Sequence, residues 1–415
     1  MPDCKIKNRK TSNYVAIVCL TSILSLPRSF LYIKLSLLLI LLFFKVFEAR
    51  SITKFKTSYQ ILLFYLVVAL LGLTWGLIGL HYGNPVEAIL DNLRLYVLWS
   101  MCFIVLFALL DKDAGLRDLH ASIITSAYMI FAINIVGVVD HVAQTGILSF
   151  DLRKELDLFV GFHEGYIQIT SHNIGSLFFI AAYLYVYLVS NTSRPKKTQF
   201  GVYAALILCL ITAALSGRRA LWIVLLLVPV VDYIMSILCA VTNQTKSGKM
   251  LGLYILLMLV LMYLLLISSF SQNEIMEHVG NAFSNEDERS IQFGYLLASF
   301  LEYPILGSGF GGYAGYTRSL DSPWLYELTY LQILFNFGIV GVLLIVIVFL
   351  IYFYMVVVNL RDRSVGRGYR AALFIGCVSL LIGAYSNPYL GSFDFLFVVG
   401  MIPYVAQFNN RTRST

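Results

Sequence analysis

Long, nearly uninterrupted apolar runs separated by short polar segments organise almost the whole chain. They are too long for strands and too uniformly apolar for surface helices, which keep a polar face. A bilayer core of about 30 Å takes about 20 residues of helix, within a range of about 17–25. Runs of this kind cover 12–26, 30–47, 59–80, 93–110, 119–139, 171–190, 199–216, 219–241, 250–270, 328–357, 370–386 and 391–408. Lipid offers no partner to an unpaired backbone group, so each run is expected to be a helix. The pattern predicts an all-α polytopic membrane protein of about 12 transmembrane helices, with residues 1–415 forming one integral membrane domain. The count depends on the short first run and on a real turn at Ser216–Arg219.

Composition agrees. Of 415 residues, 59% are hydrophobic and 13% charged, against about 45–50% and about 25% in soluble domains. A water-soluble fold of this length would lack the polar surface to cover itself, and a disordered chain needs low hydrophobicity. Five of the six cysteines lie in apolar runs, and no CxxC or Cys/His spacing occurs. Neither disulfides nor a zinc site are expected. The tail carrying Lys5, Lys7, Arg9 and Lys10 ahead of Tyr14–Leu26 resembles a signal peptide. Pro27-Arg28 and a further apolar run follow instead of a small-residue cleavage site, so the first run is expected to remain as a span.

The net charge of +7 reads as orientation rather than as a nucleic-acid surface. With the N-terminus inside, the cytoplasmic segments, together with Arg370, carry 20 of the 30 lysines and arginines, and the outer segments carry seven. That bias follows the positive-inside rule and puts both termini in the cytoplasm. Two outer loops are long, 140–170 and 271–327. In the second, which joins spans nine and ten, Phe293, Leu296, Leu297, Phe300 and Leu301 recur at helical spacing after the polar run Asn285–Arg289. They predict an amphipathic helix on the bundle or in the interface, ended by Pro304 and the glycine stretch 307–312.

Few charges remain outside this topology. Arg218 and Arg219 sit on a tight outer turn after Ser216-Gly217, where they can snorkel to lipid phosphates or clamp a substrate phosphate bidentately. Arg289 follows Glu286, Asp287 and Glu288 and can form a local salt bridge or point into a cavity under the loop. Glu327, at the boundary of span ten, is an interfacial carboxylate with the chemistry of a general base. Arg94 is a charge at the outer edge of span four. The glycine stretch lacks the Lys-Ser/Thr of a phosphate loop and reads as a flexible turn. His163, His172 and His278 share no metal-binding spacing, so no metal is indicated.

The order of these motifs resembles the O-antigen polymerase and ligase superfamily. The resemblance rests on Leu215-Ser216-Gly217-Arg218-Arg219-Ala220 between two spans and on Glu288-Arg289 with its amphipathic helix. It continues through Tyr303-Pro304-Ile305-Leu306-Gly307-Ser308-Gly309-Phe310-Gly311 and Glu327–Gly341, and Ser171-His172-Asn173 fits the start of the sixth span. It covers roughly residues 150–400. The resemblance implies a GT-C-like glycosyltransferase of the bacterial inner membrane acting at the periplasmic face. Its donor would be a glycan on undecaprenyl diphosphate, with no nucleotide sugar, cofactor or obligatory metal. Arg218 or Arg219, with Arg289 and Arg94, would hold the diphosphate. The ligases, which transfer O-antigen to lipid A–core, are similar in placing a histidine as base near the end of the large loop. Here Glu327 stands at that position, which favours the polymerase, with a second lipid-linked repeat unit as acceptor. A chain-length regulator and a flippase are the protein partners this implies. A lipid-linked oligosaccharide flippase is the alternative of another class, expected to show charges deep along a central path and pseudo-repeated halves.

Overall fold

The computed structural model describes residues 11–49, 58–110, 112–163, 166–190, 196–239, 288–317, 323–361 and 366–407. The chain forms α1 (Thr11–Ser25), α2 (Leu31–Ala49), α3 (Tyr59–His81), α4 (Val86–Leu93), α5 (Trp99–Leu109), α6 (Lys112–Ala143) and α7 (Phe150–Leu156). Strands β1 (Phe159–His163) and β2 (Tyr166–Thr170) precede α8 (Ile174–Ser190), α9 (Lys196–Leu215) and α10 (Arg219–Leu238). After these come α11 (Glu288–Glu302), α12 (Thr329–Arg361), α13 (Arg367–Gly383), α14 (Phe393–Val399) and α15 (Met401–Ala406).

The molecule is mostly helical, as its apolar runs predict. Among the described residues, five passages are long and apolar enough to cross a membrane: Tyr59–His81, Val86–Leu109, Gly115–Ala143, Ala220–Leu238 and Thr329–Arg361. Shorter apolar helices cover Thr11–Ser25, Ile174–Ser190, Gln199–Leu215 and Phe393–Ala406. The predicted span 250–270 lies outside the described residues, as do 271–287 and 318–322 of the large loop. The break between Leu215 and Arg219 is a real turn, made possible by Gly217 at φ 61°.

Contacts between helix ends sort the bundle into two ends. At one, the Ser12 hydroxyl of α1 donates to Glu48 of α2 at 2.7 Å and the Tyr352 hydroxyl of α12 to the Gln60 carbonyl of α3 at 2.6 Å. At the other, the Ser29 hydroxyl donates to the Glu155 carbonyl at 2.7 Å and the Thr329 hydroxyl to the Asn387 carbonyl at 2.8 Å. The α7–β1–β2 segment and the described part of the large loop gather at this second end.

Helix α8 is buried from Ile174 to Leu188 and packs along α13. A helix that is apolar all round belongs inside a bundle, and small residues let the backbones approach. A Cβ on Gly376 would come within 2.8 Å of the Phe179 ring. By contrast, α12 turns Leu343, Ile347, Leu350, Ile351 and Tyr354 outward. Exposed aliphatic surface of this extent fits a face covered by lipid.

A buried ion pair ties packed helices together. Lys34 Nζ of α2 is 2.7 Å from Asp394 Oδ1 of α14, and both side chains are 2% exposed. Lys34 also donates to the Leu26 carbonyl at 2.6 Å, and Asp394 accepts the Arg28 N–H at 2.6 Å. The pair fastens the α1–α2 turn to the last helices.

The second end departs from regular helix in ways the sequence pattern does not predict. The 140–170 loop contains helix α7 and an antiparallel hairpin, Phe159 opposite Thr170 and His163 opposite Tyr166, two short strands in an otherwise helical architecture. A π-helical segment, Arg94–Leu98, joins α4 to α5, and 3-10 turns at Ala384–Ser386 and Tyr389–Gly391 separate α13 from α14. Helix α12 is broken at Gly338, where φ is 61°.

The glycine stretch repairs that break and is a packed insertion, not a flexible turn. Ser308 N–H donates to the Phe335 carbonyl at 2.9 Å and Gly309 N–H to Asn336 at 3.0 Å. In return, Ile339 N–H donates to Pro304 at 2.9 Å and Val340 N–H to Ile305 at 3.1 Å. Phe310 N–H reaches the Trp75 carbonyl of α3 at 3.1 Å. A Cβ on Gly309 would fall 2.2 Å from the Gly79 nitrogen, so only glycine fits this crossing. Irregular backbone within a membrane bundle is tolerated where protein buries it or where it lines a cavity.

Candidate functional site

The irregular segments converge on one recess at the second end. A cavity of about 460 Å³ is lined by Arg94 and Tyr96 of the π segment, by Asn336 and Phe337 at the break in α12, and by Pro388 and Ser392 between α13 and α14. Trp99, Trp324, Gln332 and Arg28 also contribute. π-helical turns and broken helices cost regular hydrogen bonds and frequently mark functional sites. Of the five site residues expected from the sequence, Arg94 lines this cavity. Its guanidinium lies 3.3 Å from Asp91, with both side chains more than half exposed, so the pair holds it weakly.

Arg289 and Glu327 meet directly. Arg289 Nε donates to Glu327 Oε2 at 2.9 Å. The side chains of residues 286–288, with which the sequence also allows a local pairing, lie outside the described residues. Arg289 sits in the first turn of α11, and its side chain is 56% exposed against 19% for Glu327. Gln292, one turn on, accepts the Glu327 N–H at 3.0 Å and so fixes the carboxylate-bearing residue from the same helix. The Gln292 Nε2 is buried without a hydrogen-bond partner among the described residues.

Arg218 caps the start of α10 in extended conformation after Gly217. Its Nη1 donates to the Asn387 side-chain oxygen at 3.2 Å and to the Tyr389 hydroxyl at 2.8 Å. Arg219 is the first residue of α10, and its side chain lies outside the described residues. Asn387 ties the two groups of residues together. Its carbonyl accepts from the Thr329 hydroxyl, and the Thr329 N–H donates to the Glu327 carbonyl at 2.9 Å.

Arg28 belongs to this neighbourhood and is absent from the sequence-derived set. Its backbone is left-handed, at φ 65°, and its guanidinium donates to the Pro388 carbonyl. Although the side chain is open to the cavity, surrounding protein desolvates it and lowers its pKa from the ordinary arginine value; Tyr389, Asp394 and Asp157 oppose that shift, and Arg218 adds to it. In the sequence, Arg28 is one outer arginine after a proline and reads as topology alone. Only the fold brings its partner, 360 residues away, beside it.

His172 lies just before α8, with Nε2 3.3 Å from Asp157 Oδ2 and Nδ1 buried without a partner among the described residues. Among the described residues, no group of three or more His, Cys, Asp or Glu is arranged to hold a metal ion. The arrangement thus offers guanidinium donors, two carboxylates paired with arginines (Asp91 with Arg94, Glu327 with Arg289), and an aromatic and amide-lined recess. Chemically, that set can bind an oxyanion and accept a proton beside it.

No protein-family model, no curated protein and no solved structure matches this chain.

Proposed function

We propose that this chain is a polysaccharide polymerase of the O-antigen type. It joins undecaprenyl-diphosphate-linked repeat units at the periplasmic face of a bacterial inner membrane, on a bundle of twelve spans of GT-C type with both termini cytoplasmic. The observation that carries the reading is the Arg289–Glu327 pair at 2.9 Å, linked through Thr329 and Asn387 to Arg218.

In this mechanism the bond between the donor sugar's anomeric carbon and its diphosphate breaks as the acceptor hydroxyl oxygen bonds to that carbon. Glu327 takes the hydroxyl proton, and the lipid diphosphate departs with the bonding electrons. Arg218, with Arg289 and Arg94, stabilises the charge gathering on the diphosphate, where fixed donors act on the transition state. An exposed Arg289 can turn from Glu327 to an arriving phosphate, which frees the carboxylate as base. The base is then released only when donor is bound.

The polar residues supporting this reading lie at one end of the bundle. The buried Lys34–Asp394 pair also lies near that end, one turn into α2 and next to the Arg28 turn. A flippase would instead place charges along a central path. A gel ladder of surface polysaccharide from a deletion strain tests the proposal. Single-repeat glycan alone is the expected outcome. Complete loss of surface glycan would point to transport, and loss confined to the step onto lipid A–core, with polymer retained on lipid, would point to a ligase.

A further inference from the structure

Arg28 and Arg218 reach the Asn387–Tyr389 turn from two sides, Arg28 on the Pro388 carbonyl and Arg218 on the Asn387 amide oxygen and the Tyr389 hydroxyl. All three acceptors are neutral. Neither arginine forms an ion pair among the described residues, whereas Arg94, Arg153 and Arg289 each do. Asp394 accepts the Arg28 backbone N–H, but its charge is matched by Lys34 at 2.7 Å. Arg28 feels the attraction of Asp394 and Asp157 but pairs its guanidinium with neither, and Arg218 repels it across the turn; each guanidinium keeps donors from its five N–H groups for a further acceptor. An anion between them removes the repulsion and takes up the donors.

A second observation points the same way. Ser392, 4% exposed, lines the cavity, and its hydroxyl has no hydrogen-bond partner among the described residues. The cavity that Arg28 and Ser392 share is lined by the rings of Tyr96, Trp99 and Trp324, which suit the sugar or first isoprene unit next to a phosphate.

We infer that Arg28 and Arg218 together form the seat of a lipid-linked diphosphate, one guanidinium fork for each phosphate, with the Ser392 hydroxyl as a further donor. The inference rests on the proposed lipid-diphosphate substrate and adds a residue from the α1–α2 connection to its site. Bidentate guanidinium–phosphate pairing is geometric as well as electrostatic, so lysine replaces it only in part.

The test measures undecaprenyl diphosphate binding to the full chain in phosphatidylcholine nanodiscs, with phosphatidylglycerol and inorganic pyrophosphate as competitors. Arg28→Asn is the main variant, because asparagine tolerates the left-handed backbone at this position, and Arg28→Lys keeps the charge without the fork. Arg28→Asn and Arg218→Gln are each expected to weaken binding at least about tenfold, as loss of a charge-assisted hydrogen bond implies. Arg28→Lys should recover part of that loss, and phosphatidylglycerol should compete poorly. Binding by Arg28→Asn within twofold of wild type, with Arg218→Gln impaired, would overturn this inference alone. Displacement by an equal concentration of phosphatidylglycerol would overturn it in favour of a general anionic-lipid site, and full binding of inorganic pyrophosphate in place of the lipid in favour of a free-anion site. Absence of binding by the wild type would overturn both this inference and the proposed function.

Discussion

Arg289 Nε donates to Glu327 Oε2 at 2.9 Å, joining the first turn of α11 to the residue two before α12. The contact couples an exposed cation to a mostly covered carboxylate, so each residue's state depends on the other. Groups that act as a unit are non-additive. Arg289→Ala and Glu327→Ala are each expected to lower polymer formation by about 10²–10⁴-fold, and the double variant should be little worse than the poorer single one. A product of the two single losses in the double variant would show that they act independently.

Arg218 is held by Asn387 and Tyr389, and Tyr389 is therefore a positioning residue for it. Tyr389→Phe should raise the donor concentration needed for half-maximal rate while leaving the maximal rate largely intact, whereas Arg218→Ala should raise that concentration and also lower the maximal rate. An unchanged concentration dependence in Tyr389→Phe would remove the tyrosine from this role.

The Lys34–Asp394 pair is 2% exposed on both sides. Removing one partner leaves a buried charge, which costs about 3–5 kcal/mol. Lys34→Met should sharply lower the thermal midpoint of the detergent-solubilised protein. The double variant Lys34→Met with Asp394→Asn should recover much of it, because asparagine still accepts the Arg28 N–H. A single Lys34→Met variant as stable as wild type would contradict the structural role given to the pair.

Gly338 breaks α12 at φ 61°, and a Cβ there would lie 2.4 Å from both the Gly307 nitrogen and the Ile305 carbonyl oxygen. With ψ at −174° this is a backbone region essentially reserved for glycine, costing an alanine about 1–3 kcal/mol, and the overlap adds to it. Gly338→Ala should lower the unfolding midpoint and also impair polymer formation, since Asn336 and Phe337 line the cavity. Equal stability of the two proteins would mean that the break is not needed.

The helical character, the Ser216–Arg219 turn and the helix beginning at Glu288 were legible in the sequence, because each leaves a strong pattern. Apolar run length signals a membrane helix, and a charge among so few stands out. Arg218, Arg289 and Glu327 were visible for that reason. Arg28 was not: a boundary arginine after Pro27 looks like any orienting charge until the Pro388 carbonyl lies beside it. The π segment at Arg94–Leu98 and the break at Gly338 were also hidden. Hydropathy registers neither, since tertiary hydrogen bonds from the 304–310 segment create the break within an unbroken apolar run. The hairpin 159–170 carries only a short alternation, too weak to announce two strands inside a loop.

The most direct measurement is polymerisation by the purified full chain in nanodiscs, supplied with a lipid-diphosphate-linked repeat unit as the sole substrate. The account predicts a ladder of longer lipid-linked glycans with release of lipid diphosphate, and for Glu327→Gln a rate lower by at least about 100-fold with donor still bound. An undiminished ladder from Glu327→Gln, or a wild-type protein that forms no glycosidic bond, would contradict it.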